Sequence, residues 1–399
     1  MPAVSLCQVQ LLVQIIVWST AFHFAISGIL LLWSEAEQFS KAGRHHMGDQ
    51  DFLLTTENVD DYLAACGLVA GDEEITVREL GGGVSNVVLL VEWPGTPLRR
   101  WVVKQSLEKL RVKDDWRSER ERIFREAEAM QVLRPVLGPA ALPEVLHIDK
   151  EKFLLVMTAA PRGSLSWKDL LLGRRGDAAV ARDAALLLAK MINASRGDAN
   201  LIAKFWDRTV FDQLRIDPYY RTTATRHPEL RPEFDRLITT SLEIRNSLVH
   251  GDYSPKNMLV RGESIFLIDF EVVHWGDPSF DAAFLINHLL LKAFHQPAAS
   301  RQFIALVHPF CKTLLAALDP EAATGFEAMT VLHLGGLMLA RVDGKSPVEY
   351  IQDEPTKERV RKAATRIMRE PPTTIDSATE IVLDTVGLKD EGSRVKDEG

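Results

Sequence analysis

Residues 250–271 read HGDYSPKNMLVRGESIFLIDFE, and this stretch decides how the second half of the chain folds. Residues 258–260 and 265–268 are apolar, β-prone runs, and the polar segment 261–264 between them contains a glycine. Two such runs around a short polar turn predict a β-hairpin. Because a hairpin brings its two ends together, Asn257 is predicted to lie beside Asp269. Asp252 then lies on the loop just before the first strand.

Asp252, Asn257 and Asp269 are the residue types that a phosphoryl-transfer site of the protein-kinase kind requires. One carboxylate orients the acceptor hydroxyl, and an amide with a second carboxylate binds Mg²⁺ through oxygen. An ordinary aspartate is too acidic to hold the acceptor proton early, so Asp252 is expected to contribute mainly by positioning. A lone aspartate in such a turn commonly forms only an Asx-turn. The assignment therefore depends on residues elsewhere in the chain.

A glycine-rich loop, Gly81-Gly82-Gly83, lies between two predicted strands at 75–80 and 87–93. Glycines let a backbone approach a phosphate closely and offer N–H groups without side-chain obstruction. Ser85 and Asn86 would add a hydroxyl and an amide to such a site. Three glycines between strands are also common in a plain hairpin turn.

Lys104 lies within a third predicted strand, 101–107, whose other residues are mostly apolar. A lysine in a strand usually marks only the solvent face. After a glycine loop and its adjoining strand, however, this is where a kinase places the lysine that holds the α- and β-phosphates. That lysine needs a carboxylate from the next helix, predicted at 119–133. Glu126 borders the apolar stripe of this helix and is the predicted partner.

The chain is predicted to be α+β with a two-lobed, protein-kinase-like arrangement. A strand-rich, ATP-binding N-lobe spans 47–158, and its last strand is expected at 152–158. A mainly helical C-lobe, catalytic and acceptor-binding, spans 159–370, and 371–399 is expected to be a polar tail. The C-lobe helices are predicted at 166–172, 177–195, 228–246, 279–295, 299–317 and 321–341.

Residues 1–46 form an unusual apolar extension, with no Asp, Glu, Lys or Arg before Glu35. The segment 9–33 would be roughly 37 Å long as a helix, against a hydrocarbon core of about 30 Å. It is diluted by polar residues and lacks the basic start of a signal peptide. Three alternatives remain open: a dispensable extension ahead of Met47, a membrane anchor, and a packed helix.

The composition limits the classes of partner. The chain has 399 residues, 46% of them hydrophobic, and a formal net charge of −8. This charge argues against a general nucleic-acid binder, which usually presents a basic face. The three cysteines are far apart and predict neither a disulfide framework nor a metal site. The expected location is the cytoplasm, with membrane contact only through 9–33, and a homodimer is compatible with the sequence.

The chain resembles the aminoglycoside phosphotransferase and choline kinase superfamily, which has a protein-kinase-like fold. The resemblance rests on His250-Gly251-Asp252 with Asn257, on 267–271, and on Gly276-Asp277-Pro278 with Asp281. Residues 103–107 and 110–112 are similar to the methylthioribose-kinase-like branch. The resemblance covers roughly 52 to 365.

This resemblance implies that Asp252 is the catalytic base, that Asn257 and Asp269 bind Mg²⁺, and that Lys104 binds ATP phosphates. Met157 to Pro161, including Ala159, would be the hinge that holds adenine through backbone groups. Two departures stand out. Phe270 replaces the proline typical of methylthioribose kinases. Gly251 replaces the arginine through which many protein kinases respond to loop phosphorylation, which favours small substrates over protein substrates.

Several polar residues around this site receive separate predictions. Glu271 is expected either to help bind the metal or nucleotide, or to form a salt bridge. Asp281 is expected to bond the backbone of the 250–252 loop, and His250 to brace that loop. Trp275 and Arg341 are the predicted contacts of the acceptor.

The predicted function is an ATP- and Mg²⁺-dependent phosphotransferase that acts on the hydroxyl of a small molecule. Two alternatives remain open. One is a catalytically inactive, nucleotide-binding regulator. The other is a membrane-tethered kinase of a lipid head group.

Overall fold

The computed structural model describes residues 52–70, 73–81, 83, 85–95, 99–111 and 116–388. The apolar extension 1–46, with its three alternatives, lies outside these residues, as does Gly82 of the glycine loop. Among the described helices, none is both long and apolar enough to cross a membrane.

The first part of the described chain builds an antiparallel sheet of five strands in the order β1-β2-β3-β5-β4. The strands are β1 (Thr76–Glu79), β2 (Asn86–Glu92), β3 (Arg100–Ser106), β4 (Val145–Asp149) and β5 (Leu154–Thr158). The four strands predicted in this part are confirmed. Strand β4 was not predicted, because its sequence VLHID does not alternate cleanly between apolar and polar residues.

Two helices accompany this sheet: α1 (Val59–Ala65) and α2 (Arg122–Leu137). Helix α2 buries Glu126 together with apolar residues that pack in the core. It was predicted to end before Pro135 but continues to Leu137, and it stops at Gly138, which has a φ of 96°. A proline in the last turn removes one backbone donor, and the burial of Leu137 offsets that loss.

The second part of the chain is mainly helical, so the prediction of a two-lobed α+β fold is confirmed. Its helices are α3 (Trp167–Leu172), α4 (Ala178–Ser195), α5 (Ala199–Phe205), α6 (Thr209–Phe211), α7 (Thr222–Arg226), α8 (Arg231–Glu243), α9 (Ser279–His295), α10 (Ser300–Ala317), α11 (Pro320–Ala323), α12 (Phe326–Asp343), α13 (Glu354–Arg369) and α14 (Ile375–Thr385). A π-helix, Asp212–Arg221, joins α6 to α7. Short 3₁₀ turns occur at Pro228–Leu230, Pro255–Asn257 and Pro297–Ala299.

Helix α9 lies at the centre of the helical part, with residues 279–294 all buried. A helix that is apolar on every side is stable only when it is surrounded, and α9 packs on α10 and α12. From Leu53 onward, the described residues belong to one compact unit with a continuous apolar core.

Two small sheets position the loops around residues 250–271. Strands β8 (Met258–Arg261) and β9 (Ser264–Leu267) form the predicted hairpin, and β6 (Leu165–Ser166) adds to the β8 edge. Strand β7 (Ser247–Val249) pairs with β10 (His274–Gly276). Gly262 turns the hairpin with a φ of 62°, a value that glycine adopts without steric cost.

Helix α14 differs from the predicted polar tail at 371–399. Its residues Ile375, Ala378 and Val382 are buried, and it contacts α10, α12 and α13. The Ile375 amide also donates to Glu327 Oε1 at 2.9 Å. The helix was not predicted because its apolar pattern, within 375–382, is short and is followed by charged residues. Residues 389–399 lie outside the described part.

Candidate active site

The β8–β9 hairpin brings together the two predicted metal ligands. Ile268 N donates to Asn257 O at 3.0 Å, which closes the open end of the hairpin. Asp269 follows with a φ of 70°, a conformation that aspartate tolerates better than most residues. The Asn257 Nδ2 donates to Asp252 O at 2.9 Å, and no described group donates to its Oδ1. That oxygen is therefore free to bind a cation.

Helix α9 holds the loop that carries Asp252. The Asp281 carboxylate accepts from His250 N at 2.6 Å and from Gly251 N at 2.9 Å. Burial raises the pKa of Asp281 to about 7, and these two amide bonds only partly oppose the rise. The predicted contact between Asp281 and this loop is confirmed.

The His250 ring braces the same loop from within. Burial lowers the pKa of His250 to about 4, so its ring is neutral near pH 7. Its Nδ1 lies 3.2 Å from Asp252 N, and its Nε2 lies 3.2 Å from Ile268 O. Because the amide donates to Nδ1, Nε2 carries the proton and donates to the carbonyl oxygen. The predicted bracing role of His250 is confirmed.

Two cations hold the carboxylate of Asp252, which is only 4% exposed. Arg215 Nη2 lies 3.0 Å and Lys256 Nζ 2.9 Å from its Oδ2. Burial alone would raise the pKa of Asp252, but Arg215 and Lys256 hold it well below its usual range. Asp252 is therefore ionised at neutral pH and can accept a hydrogen bond from a hydroxyl.

Sequence reasoning missed both of these cations. Lys256 follows Asp252 by four residues in the quoted stretch, so a signal was present. Arg215 comes from the π-helix and also donates its Nε to Gly251 O at 2.5 Å. Its position, far from the motif in the sequence, gave no such signal.

Lys104 lies among three carboxylates. Its Nζ is 2.7 Å from Glu126 Oε2, 2.6 Å from Asp269 Oδ1 and 4.0 Å from Glu271 Oε2. The whole Lys104 residue is only 5% exposed. Burial alone would lower the pKa of Lys104, but Asp269, Glu126 and Glu271 together raise it above its ordinary value. The predicted pairing of Lys104 with Glu126 is confirmed.

In this pair, the surroundings of Glu126 disfavour its ionised form. Burial raises its pKa to about 7, and the neighbouring Asp269 and Glu271 carboxylates add to the rise while Lys104 opposes it. Its Oε1 is buried with no hydrogen-bond partner among the described residues. A buried polar atom of this kind usually has a partner, so Glu126 retains acceptor capacity.

Glu271 connects the glycine loop, helix α2 and the end of the hairpin. Its Oε1 accepts from Ser85 Oγ at 2.7 Å, and its Oε2 accepts from Asn86 Nδ2 at 2.8 Å. Arg122 Nε donates to Oε2 at 3.2 Å. Burial opposes ionisation, but Lys104 and Arg122 lower the pKa of Glu271 to about 2. The salt-bridge interpretation of Glu271 therefore fits this geometry.

The donor set fits a hard divalent cation. One oxygen from each of Glu126, Asp269 and Glu271 lies within 4.8 Å of the others. Carboxylate and amide oxygens are the ligands that Mg²⁺ prefers. Asp269 and Glu271 belong to this group, and the closed end of the hairpin bonds the backbone of Asn257 to Ile268, the residue before Asp269. Asn257 and Asp269 remain the predicted metal ligands.

The predicted nucleotide contacts are distributed over the loop and the strand junction. Gly83 has open space where a side chain would lie. The side chains of Ser85 and Asn86 point to Glu271, so they order the loop through that contact. Met157 is buried in β5, where it pairs with Val102.

Ala159 lies in the predicted hinge, where its backbone N–H and that of the next residue differ in their hydrogen bonds. Its amide donates to Arg100 O at 2.9 Å, so that N–H is already used by the protein. Among the described residues, no acceptor is found for the next amide, Ala160 N. Within the predicted hinge, the described structure therefore leaves the Ala160 amide, rather than the Ala159 amide, without a protein acceptor.

The two predicted acceptor contacts have different outcomes. Trp275 is 2% exposed, and its Nε1 donates to Arg245 O at 3.1 Å. This is a core position, so the predicted acceptor contact of Trp275 is wrong. Arg341, at the end of α12, lines a cavity together with Lys256.

Comparison with known proteins identifies the family of the chain. A profile of the phosphotransferase enzyme family (APH) matches residues 76–318, and the chain belongs to this family. Methylthioribose kinase 2 of Oryza sativa subsp. japonica is 27% identical over 259 residues, covering 58% of this chain and 60% of the rice protein. Methylthioribose kinase 1 of the same organism is also 27% identical over 259 residues, covering 58% of this chain and 59% of its own.

The matched region is thus less than two thirds of either curated relative. The match to these two proteins confirms the predicted similarity to the methylthioribose-kinase branch. Among solved structures, Plasmodium vivax ethanolamine kinase aligns with a TM-score of 0.48 and 11% identity. That alignment covers 82% of this chain and 86% of the other.

Proposed function

We propose that this protein is an ATP- and Mg²⁺-dependent kinase that transfers the γ-phosphoryl group of ATP to a hydroxyl of a small molecule. The observation that carries the proposal is the joining of two sets of residues. Lys104, paired with Glu126, also contacts Asp269 at 2.6 Å. Asp269 ends the same hairpin whose other end bonds the loop of Asp252.

The proposed mechanism assigns each side chain one task. Lys104 binds the α- and β-phosphates and is held in place by Glu126. Asp252 accepts a hydrogen bond from the acceptor hydroxyl and orients its oxygen toward the γ-phosphorus. Asn257 and Asp269 would hold Mg²⁺, which would supply positive charge that stabilises the charge developing on the transferred group.

The proton of the acceptor moves late in this reaction. The bond from the γ-phosphorus to the bridging oxygen of ADP breaks as the bond to the acceptor oxygen forms. The hydroxyl proton then passes to Asp252 and on to water. Because Arg215 and Lys256 keep Asp252 ionised, its main contribution is orientation. Proton uptake becomes favourable only as the acceptor oxygen donates electron density to phosphorus and its proton becomes more acidic.

Replacing Asp252 tests this proposal. In Asp252→Ala, the release of ADP with a panel of acceptors should fall by roughly 10²- to 10⁴-fold, while binding of Mg-ATP persists. The panel would contain methylthioribose, homoserine, choline, ethanolamine, aminoglycosides and sugars, with binding followed by calorimetry. Asp212→Ala, at a partly exposed π-helix position paired with Arg221, is the matched control. Unchanged turnover in Asp252→Ala would contradict the proposed role.

A further inference from the structure

A small cavity of about 40 Å³ lies next to the proposed catalytic loop. Lys256, whose Nζ contacts Asp252 at 2.9 Å, is one of its lining residues. A single water needs roughly 10–15 Å³ measured in this way. The cavity therefore has room for a group the size of a carboxylate or a phosphate, beside the place where an acceptor hydroxyl would lie.

The lining of this cavity is strongly cationic. Lys168, Lys256, Lys292 and Arg341 all line it, and Glu349 is the one carboxylate among the described lining residues. Lys168 is paired with that Glu349, and Lys256 is paired with Asp252. Within the described chain, no carboxylate lies within ion-pair distance of Lys292 or of Arg341. Two basic side chains are thus left without a protein counterion.

Lys292 is a fully buried lysine on helix α9, with 0% exposure. Its Nζ donates to His288 O, one turn back in the same helix, at 3.1 Å. Burying an ammonium group without a counterion is costly, and an apolar residue would be expected in the run LLLKAF at 289–294. Packing alone therefore does not explain a lysine at this position.

Arg341 has donor capacity that the protein does not use. Its Nη1 donates to Tyr219 Oη at 3.1 Å and to Ser346 Oγ at 2.9 Å, which fixes the guanidinium group. Its Nε is buried without an acceptor, and the hydroxyl of Tyr350, another lining residue, is also buried without a partner. Buried polar atoms usually have partners. A guanidinium fork suits the paired oxygens of a carboxylate or a phosphate.

We infer that this cavity binds an anionic group, a carboxylate or a phosphate, of a hydroxylated acceptor whose hydroxyl lies at Asp252. Lys292 and Arg341 bind the anion, and the hydroxyl of Tyr350 donates to it. The inference rests on the proposed function and narrows it to anionic alcohols. It also predicts that cationic acceptors bind poorly, because they would face Lys292 and Arg341.

Matched acceptors test the inference directly. Glycerate and glycerol 3-phosphate would be compared with glycerol, and ribose 5-phosphate with ribose, by ADP release at saturating Mg-ATP. The anionic member of a pair should have a kcat/KM roughly 10- to 100-fold higher, the range expected for a hydrogen bond to a charged group. Glycerate and glycerol 3-phosphate separate a carboxylate site from a phosphate site.

A binding measurement makes the test independent of turnover. The ADP-saturated protein would be heated with each compound, and the anionic compounds should raise Tm where glycerol and ribose do not. Lys292→Met should bring the ratio of anionic to neutral kcat/KM toward one and remove the Tm shift, with Arg341→Lys as a second, milder variant. Lys345→Met, whose lysine pairs with Asp217 at 2.8 Å outside this lining, should retain the wild-type ratio.

The outcomes separate the two proposals. Absence of any anion-dependent Tm shift, or equal transfer to the neutral members, overturns the anion site while leaving the kinase assignment intact. A wild-type protein that releases no ADP with any acceptor overturns the kinase assignment, while an anion-dependent Tm shift that Lys292→Met removes still supports the cavity as an anion site.

Discussion

Gly251 occupies a backbone position that a side chain cannot share. Its φ is 76°, and a Cβ atom built there would lie 2.7 Å from Val272 Cγ1 and 2.8 Å from Val272 O. Both values are far below an ordinary contact. The amide of Gly251 also donates to Asp281, so the loop cannot move aside without losing that bond. Glycine is therefore required here by sterics as well as by local conformation.

Gly251→Ala is expected to lower the free energy of unfolding by roughly 3–5 kcal/mol, from left-handed strain and overpacking together. Turnover should fall as well, because Asp252 follows directly. The matched control is Gly262→Ala, with a φ of 62° and open space around the missing Cβ, which should cost about 1–2 kcal/mol. Urea unfolding measures both. Equal costs for the two variants would show that Val272 does not constrain the loop.

The π-helix is the element that delivers Arg215 to Asp252. Helices of this type are rare, and those that occur are often found at functional sites, because the wider turn redirects side chains. Here it places Arg215 so that its Nε and Nη2 contact Gly251 O and Asp252 Oδ2. The exposed Arg221 at the other end of the same element instead pairs with Asp212.

Arg215→Met should therefore change the pH profile of catalysis. Arg215 lowers the pKa of Asp252, so its removal moves that pKa up toward the ordinary aspartate value of about 4. In the variant, the ionised form of Asp252 is then lost as pH falls, so an acid limb should appear in kcat/KM near pH 4. The wild type should show no such limb from this group. Arg221→Met should keep the wild-type profile, and the absence of a new acid limb in Arg215→Met would refute the coupling.

At the scale of elements, prediction from sequence was uneven for physical reasons. The β8–β9 hairpin and the pairing of Lys104 with Glu126 follow from local patterns: apolar runs around a glycine turn, and a carboxylate beside an apolar stripe. Strand β4 and the π-helix have no such pattern, because packing against neighbours stabilises them. Trp275 was misplaced because an aromatic residue near a motif looks the same in sequence whether it contacts substrate or fills the core.

At the scale of the whole molecule, the burial of Lys292 in the central helix lowers the free energy of unfolding of the protein. Burial lowers its pKa to about 7; Lys168 and Arg341 lower it further, and Glu349 and Asp169 oppose them. The adjacent His288 is neutral, because burial holds its pKa well below the ordinary value. Between pH 7 and about 10.5, the unfolded chain holds a proton that the folded protein lacks. Stability from this group thus rises with pH across that window.

Lys292→Met should be more stable than the wild type by roughly 1–3 kcal/mol at pH 7. The advantage should shrink as pH rises toward 9, because the wild type no longer bears the cost of a charged lysine. Thermal unfolding at pH 7, 8 and 9 measures the difference. Lys312→Met, at an exposed position of α10, should change stability by at most about 0.5 kcal/mol. If Lys292→Met is less stable than the wild type at pH 7, the view that Lys292 binds a ligand and destabilises the protein is contradicted.

The sequence by itself determined the α+β class, the order of the site residues and the hairpin that joins Asn257 to Asp269. These depend on periodicity and on glycine positions, which are local and readable along the chain. Only the tertiary structure decided which charges meet. Arg215 reaches Asp252, Glu271 joins Arg122 to the glycine loop, and Lys292 and Arg341 face one cavity without counterions. Such meetings depend on how distant elements pack, and packing is a property of the folded chain.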